Sequence, residues 1–331
     1  MHNIPITTRA AWAAGIAAAA LAVPAAQAQD AAANYPNKPI RMIVPFTAGG
    51  PTDALARAIG QKLGERWKQS VVVENRAGAG GSIGAEFVAK SRADGYVLML
   101  TTAGVVTVNP SLSPVNFDTM KDFAPVALAS TIASLLVVPP SLNVHSTKEL
   151  IALAKSRPGE LNYGSSGNGS ASHLAMALFD KAADIKVQHV PYKGAAPAVT
   201  DLLGGNVQVM LIGLSTVLPY VSSGKLVALG VSSLKPSPLA PSVPTIAEAL
   251  PGFEASNWLG IFAPAGTPPA IVNKLNAAIN DIMQQPDTWG TISKDGFEPV
   301  PPNTPQEFGK YVQSEITKWA RVVKESGMTS N

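Results

Sequence analysis

A chain of 331 residues is long enough for two domains, each with its own core. Its 25 Lys+Arg and 22 Asp+Glu leave a formal charge of +3 spread along the chain, which excludes a basic arm or stripe for nucleic acid. Charged residues make up only 14% while Gly and Pro number 28 each, a balance that favours turns and buried strands; zero cysteines exclude disulfides, thiolate metal sites and lipid attachment.

The first segment reads as an export signal. "MHNIPITTRA" carries Arg9, "AWAAGIAAAALAVPA" is short and apolar, and Ala26 to Ala28 offer small residues for cleavage near Ala28. The stretch is too short and too alanine-rich for a membrane anchor, and no later stretch is apolar enough to span a bilayer. Residues 1–28 are therefore expected to be removed and the remainder exported, in a bacterium to the periplasm.

Beyond it, Ile40, Met42 and Val44 alternate as a strand, and Leu55, Ile59, Leu63 and Trp67 repeat as one helix face. "SVVVENR", the helix "GSIGAEFVAKS" and the strand "GYVLMLTT" follow. A second unit starts near "SLLVVPPSLNV", and its first helix has Ser146 and Glu149 at capping-box spacing. Next come the strand "LNYGSS", the helix "SHLAMALFDKAA", the strand "VQHVPY", a helix closed by Gly204, and the strands "VQVMLIG" and "KLVALGVSS". "NWLGIFAP" precedes a helix with Ile271, Leu275, Ala278 and Ile282 on one face, and an amphipathic helix with Val312, Ile316, Trp319 and Val323 inward ends at Gly327. The rhythm is that of an α/β fold with two doubly wound lobes around a central cleft. "ASTIASLLVV" and "ASNWLGIF" each pass from strand to strand without a helix. The chain is thus expected to cross near Ser134 and again near Asn257, so that 29–133 and 256–331 form one lobe and 134–255 the other.

Glycine-rich turns stand between strand and helix at "PFTAGGPTD", "ENRAGAGGSIGA" and "NYGSSGNGSASH". Unpaired N–H groups in a helix's first turn attract anions, so the first and third turns are read as carboxylate cradles. Single glycines are also what a tight corner needs. The hydroxyl and amide groups of Ser165, Ser166, Asn168 and Ser170 go beyond that need, although such residues also cap helices. "GAGGSIG" has the spacing G-x-G-x-x-x-G and does not follow the first strand, so a nicotinamide cofactor is not expected. "YGSSG" comes near a nucleophile elbow, but Asn168 stands where glycine is required, and His145, His173 and His189 have no evident acid partner. An exported serine hydrolase is the rival reading. No histidine pair has metal-ligand spacing. His173 starts a helix near the cleft, Asp53 is read as a cap that bonds its own helix's N–H groups, and Tyr192, Lys193 and Gly194 share another strand-to-helix turn.

"PFTAGGPTDALAR", "VENRAGAGGSIGA", "NYGSSGNGSASHLAMALF", "HVPYKGAAPAVTDLLGG", "SVPTIAEA" and "FAPAGTPPAIVNKLN" occur in that order. Together they resemble the solute receptors of tripartite tricarboxylate transporters, the Bug receptors. The resemblance implies a periplasmic binding protein fold of type II, a monomeric receptor without cofactor or metal, and a small organic acid as ligand. It also implies membrane transporter subunits as partners. A sensor input protein for the same ligand has the same sequence signature. The resemblance places one carboxylate at the turn from Phe46 to Asp53 and another at Ser165 to Asn168. The expected ligand-binding set is Phe46, Ala48, Gly49, Thr52, Asp53, Ser165, Ser166, Asn168, His173, Tyr192, Lys193 and Gly194. One departure stands out: where these receptors often read M-F-D-N-L-P, this chain has "MLIGLS", with Ile212 and Gly213 in place of the acid and the amide. That points away from an amino acid and toward a less polar or aromatic carboxylate.

Overall fold

The apolar alternation at Ile40, Met42 and Val44 becomes the first strand in the computed structural model, which describes residues 32–326 apart from Gly169, Lys193, Lys294 and Asp295. The expected export segment 1–28, Lys193 and the helix stop at Gly327 lie outside the described residues. β1 (Ile40–Val44) runs into α1 (Pro51–Trp67), which opens on a proline that needs no N–H partner and buries Leu55, Ile59 and Leu63. β2 (Val71–Asn75), α2 (Ser82–Ala89) and β3 (Val97–Thr102) complete the βαβ rhythm. A wide helical turn over Gly104–Val108 follows, then β4 (Phe123–Ile132).

The chain then passes straight into β5 (Ser134–Val138), α3 (Thr147–Ser156), β6 (Asn162–Ser165), α4 (Ala171–Ala183), β7 (Gln188–Pro191) and α5 (Ala195–Leu203). β8 (Met210–Gly213), α6 (Leu214–Ser222) and β9 (Val227–Val231) follow. The return strand β10 (Asn257–Pro264) leads to α7 (Pro269–Met283), α8 (Pro286–Ile292), the short β11 (Phe297–Glu298) and α9 (Pro305–Ser326).

One six-stranded sheet has the order β11-β4-β10-β3-β1-β2, and a three-stranded sheet has the order β8-β5-β9. The parallel rhythm holds for β1 with β2 and β3, and for β6 with β7. The return strand β10 instead lies antiparallel between β3 and β4, and β5 is antiparallel to β8 and β9. These antiparallel strands belong to the stretches where the chain leaves one sheet and comes back. Both faces of the six-stranded sheet are covered. Leu55, Ile59, Leu275 and Ile279 pack on one side, and Met99, Trp258, Phe262 and Phe308 on the other. The second unit repeats the arrangement, with Leu150, Met176 and Phe179 in one cluster and Val199, Leu202 and Val217 in the other.

The two crossings run side by side. Asn257 at the start of β10 pairs with Ile132 at the end of β4. Ser232 ties the strands together: its hydroxyl accepts the Ser134 N–H at 2.8 Å, and its carbonyl accepts the Ala255 N–H at 3.1 Å. Away from these paired strands, α9 leans across to α4, where Trp319, Val322 and Val323 pack with Leu174, and Lys181 pairs with Glu325. Among the described residues no helix is long and apolar enough to cross a membrane.

Candidate functional site

A cavity of about 240 Å³ opens between the two units. The six-stranded unit supplies Phe46, Gly80, Thr102 to Val105, Val108 and Asn109; α4 supplies Ala171 and Leu174. The second crossing contributes Ala255, Ser256 and Asn257, and Trp319 closes the wall from α9. No charged side chain is among these lining residues. Its polar contacts are hydroxyls, amides and backbone, and most of its wall is hydrocarbon.

The first glycine turn is held from within. Gly49 takes a φ of +84°, a left-handed value that a side chain at this position would strain. Its N–H donates to the Asp53 carboxylate at 3.0 Å, which also accepts Arg57 Nε at 2.9 Å and Asn75 Nδ2 at 3.0 Å. Asn75 reaches the Phe46 carbonyl too, at 3.1 Å. Asp53 is 3% exposed and braces the turn, while the helix begins at Gly50 with no side-chain cap. Among the described residues, the N–H groups of Ala48, Gly50 and Thr52 have no protein acceptor. The Gly49 N–H, expected to meet a carboxylate directly, is therefore taken by Asp53, whereas its neighbours are free. Thr52 is buried at the start of α1.

Burial alone would raise the Asp53 pKa, but the Arg57 guanidinium, the Gly49 N–H and the Asn75 amide together hold it below 3.8. A folded value beneath the unfolded one means stability that is complete above 3.8 and lost as pH falls through the lower folded value. An asparagine at this position offers one acceptor oxygen where the carboxylate serves Gly49, Arg57 and Asn75. Asp53→Asn should thus cost about 1–3 kcal/mol at pH 7, more than a simple loss of charge at a helix end. Urea melts at pH 7 and near pH 3 check this: the gap between variant and parent should narrow on acidification.

The third turn is also knitted together. β6 alternates, so Ser165 points the same way as Tyr163, inward, and is fully buried. Its Oγ lies 2.6 Å from His189 Nε2, accepts the Gly167 N–H and donates to the Gly167 carbonyl, both at 3.1 Å. This corrects the expectation that the Ser165 hydroxyl faces the cleft. Tyr163 and His189 are register partners on β6 and β7, and their rings stack at 4.8 Å. His173 stacks on His189 at 3.8 Å, behind the turn, and is not among the cavity's lining residues.

Burial, with His189 close by, lowers the His173 pKa to about 4, and burial lowers that of His189. Both rings are therefore neutral at pH 7. Because both folded values lie below 6.5, the rings contribute stability that is complete above 6.5 and lost as pH falls through the folded values.

The Ser166 N–H donates to Ser172 Oγ at 3.0 Å, and Ser172 makes a long 3.4 Å contact to Ser166 Oγ. Ser170 caps α4 through the His173 N–H at 3.3 Å. The Ala171 and Ser172 N–H groups have no protein acceptor among the described residues, and Ala171 lines the cavity. The N–H groups of this turn left without an acceptor among the described residues are thus at the first residues of α4. Asn168 is exposed. Tyr192 donates its hydroxyl to Asp201 at 2.6 Å, and the Gly194 N–H donates to the Ser166 carbonyl at 3.2 Å, so these two support the turn from behind.

Of the expected set, Phe46 lines the cavity. Ala48 and Thr52 carry free N–H groups beside it in sequence, and Gly49, Asp53, Ser165, His173, Tyr192 and Gly194 brace the turns. The sequence reading passed over Thr102 to Val105, Val108, Ser256, Asn257 and Trp319 as cavity residues. Ile212 is 4% exposed in the core of the second unit, and Gly213 pairs with Ser134 at the crossing. Neither Ile212 nor Gly213 is among the cavity's lining residues.

The profile described as "Tripartite tricarboxylate transporter family receptor" matches residues 55–328. Protein BugT of Bordetella pertussis is 40% identical over 94% of this chain and 95% of its own length. The chain is also similar to R. palustris Rpa4515, solved with adipate, at 37% identity and a TM-score of 0.72 over 89% of this chain and 99% of that one. MatC of Rhodopseudomonas palustris, with bound malate, gives 33% and 0.69 over 87% of this chain and 100% of its own. A ligand-free TctC solute-binding protein from Polaromonas gives 30% and 0.81 over 88% of this chain and 100% of its own. These neighbours share the periplasmic binding protein fold.

Proposed function

Because the chain belongs to the tripartite tricarboxylate transporter receptor family, we propose that it is a periplasmic receptor that captures a small di-, tri- or aromatic carboxylate for such a transporter. The observation that carries this reading is a cavity whose described lining residues include no charged side chain, beside two helix starts with N–H groups unpaired among the described residues. An acid bound there is neutralised by backbone dipoles, and its carbon body meets Phe46, Val105, Leu174 and Trp319. Residues 29–133 with 256–331, and residues 134–255, act as lobes that close over the ligand about the paired crossings at Ser134 and Asn257. The export segment 1–28 delivers the protein to the periplasm, where it works as a monomer handing its ligand to the membrane subunits.

The contact between Ser165 and His189 favours a second reading, an exported hydrolase. Against it, Ser165 is fully buried and no carboxylate among the described residues bonds His189, so a substrate carbonyl has no approach. Melting curves of the exported form with mono-, di- and aromatic carboxylates, and with amines and sugars as controls, test the receptor reading. A bound acid at a hundredfold excess over Kd should add about 2.7 kcal/mol. Nitrophenyl ester turnover that is lost in Ser165→Ala would support the hydrolase instead.

A further inference from the structure

Ser256 sits on the second crossing, between Ala255, which is tied to Ser232, and Asn257, the first residue of β10. It is 5% exposed and lines the cavity, yet its Oγ has no hydrogen-bond partner among the described residues. A buried hydroxyl without a partner is costly, and buried polar groups nearly always find one in protein, water or ligand. Ser256 is nonetheless one of the residues that line the cavity. Asn257 and Thr102 also line the cavity, on the adjacent strands β10 and β3, so this end of it is polar but uncharged. A carboxylate is better served at the free N–H groups of the helix starts. What suits a lone hydroxyl beside a neutral amide is a neutral oxygen.

We propose that Ser256 is a specificity-determining residue whose hydroxyl hydrogen-bonds a hydroxyl or keto oxygen on the body of the bound acid. The receptor then prefers oxygen-substituted carboxylates over unsubstituted acids of the same skeleton. This rests on the carboxylate-receptor reading above. The position adds a consequence: the contact is made by the segment about which the lobes turn, so the substituent is read at the hinge rather than on either lobe surface.

The test is calorimetric titration of the exported protein and its Ser256→Ala variant with matched pairs: succinate and malate, glutarate and 2-oxoglutarate, benzoate and 4-hydroxybenzoate. For a skeleton that binds, the oxygenated member should bind about 3- to 10-fold tighter to the parent, as one neutral hydrogen bond allows. In Ser256→Ala that ratio should fall to about one while the unsubstituted member keeps its affinity. The ligand-free variant should melt no earlier than the parent, because alanine removes an unpaired buried hydroxyl. A ratio that survives the substitution, or a clearly earlier melt, overturns the proposal and leaves the receptor reading standing. If none of the acids binds either protein, both fall together.

Discussion

Replacing Trp319 with alanine is expected to lower the unfolding free energy by about 3–5 kcal/mol and to weaken binding of the acid roughly tenfold or more. The indole is 6% exposed and packs with Val108, Leu174, Val322 and Val323, joining α9 to a helix of the second unit. Its Nε1–H donates to Glu315 Oε2 at 3.0 Å, an oxygen that also accepts Trp258 Nε1 at 3.1 Å. Truncation therefore removes a cavity wall, an interlobe contact and one partner of a buried carboxylate at once. Trp319→Phe keeps the apolar wall and loses the N–H, so it should recover most of the affinity and part of the stability. Denaturant melts and calorimetry on both variants separate the terms. Equal affinities in Trp319→Ala and the parent would show that the ligand does not rest against this wall.

Ser165→Ala should destabilise the free protein by about 1–3 kcal/mol, because a buried hydroxyl that serves His189 and both backbone groups of Gly167 is removed. Gly167 has a φ of +129°, and a Cβ there would come within 3.2 Å of the Tyr192 carbonyl, so the turn has little freedom to rebuild. Loss of affinity should accompany the loss of stability. Ser166→Ala provides the contrast: its hydroxyl has only the long contact to Ser172, so the melt should barely move. Hydrogen–deuterium exchange across 163–174 would locate the damage. Parent-like melting and exchange in Ser165→Ala would contradict the bracing role.

The strands and helices were legible because period-two and period-four apolar patterns survive into the structure at Ile40–Val44, Pro51–Trp67 and Pro269–Met283. The turn over Gly104–Val108 was not, since "GVVTV" is β-branched and its wide helical form is imposed by packing of Val105 and Val106 against the sheet. The glycine turns were legible as turns, but which of their groups are braced and which are left unpaired was not. Period-two alternation from Tyr163 turns Ser165 inward, a signal present in the sequence but outweighed by its glycine-rich setting. Trp319 looked like any inward residue of an amphipathic helix, and Ser256 like any residue at a strand's edge. Their places at the cavity depend on how distant segments meet, which local pattern does not carry.

The most direct measurement is an amide NMR titration of the exported protein with whichever carboxylate binds tightest in the melting screen. The account predicts that the Ala48, Gly50, Ala171 and Ser172 N–H signals shift downfield together and saturate at one equivalent, as unpaired donors accept an anion. A saturable titration that leaves these four amides in place would contradict it.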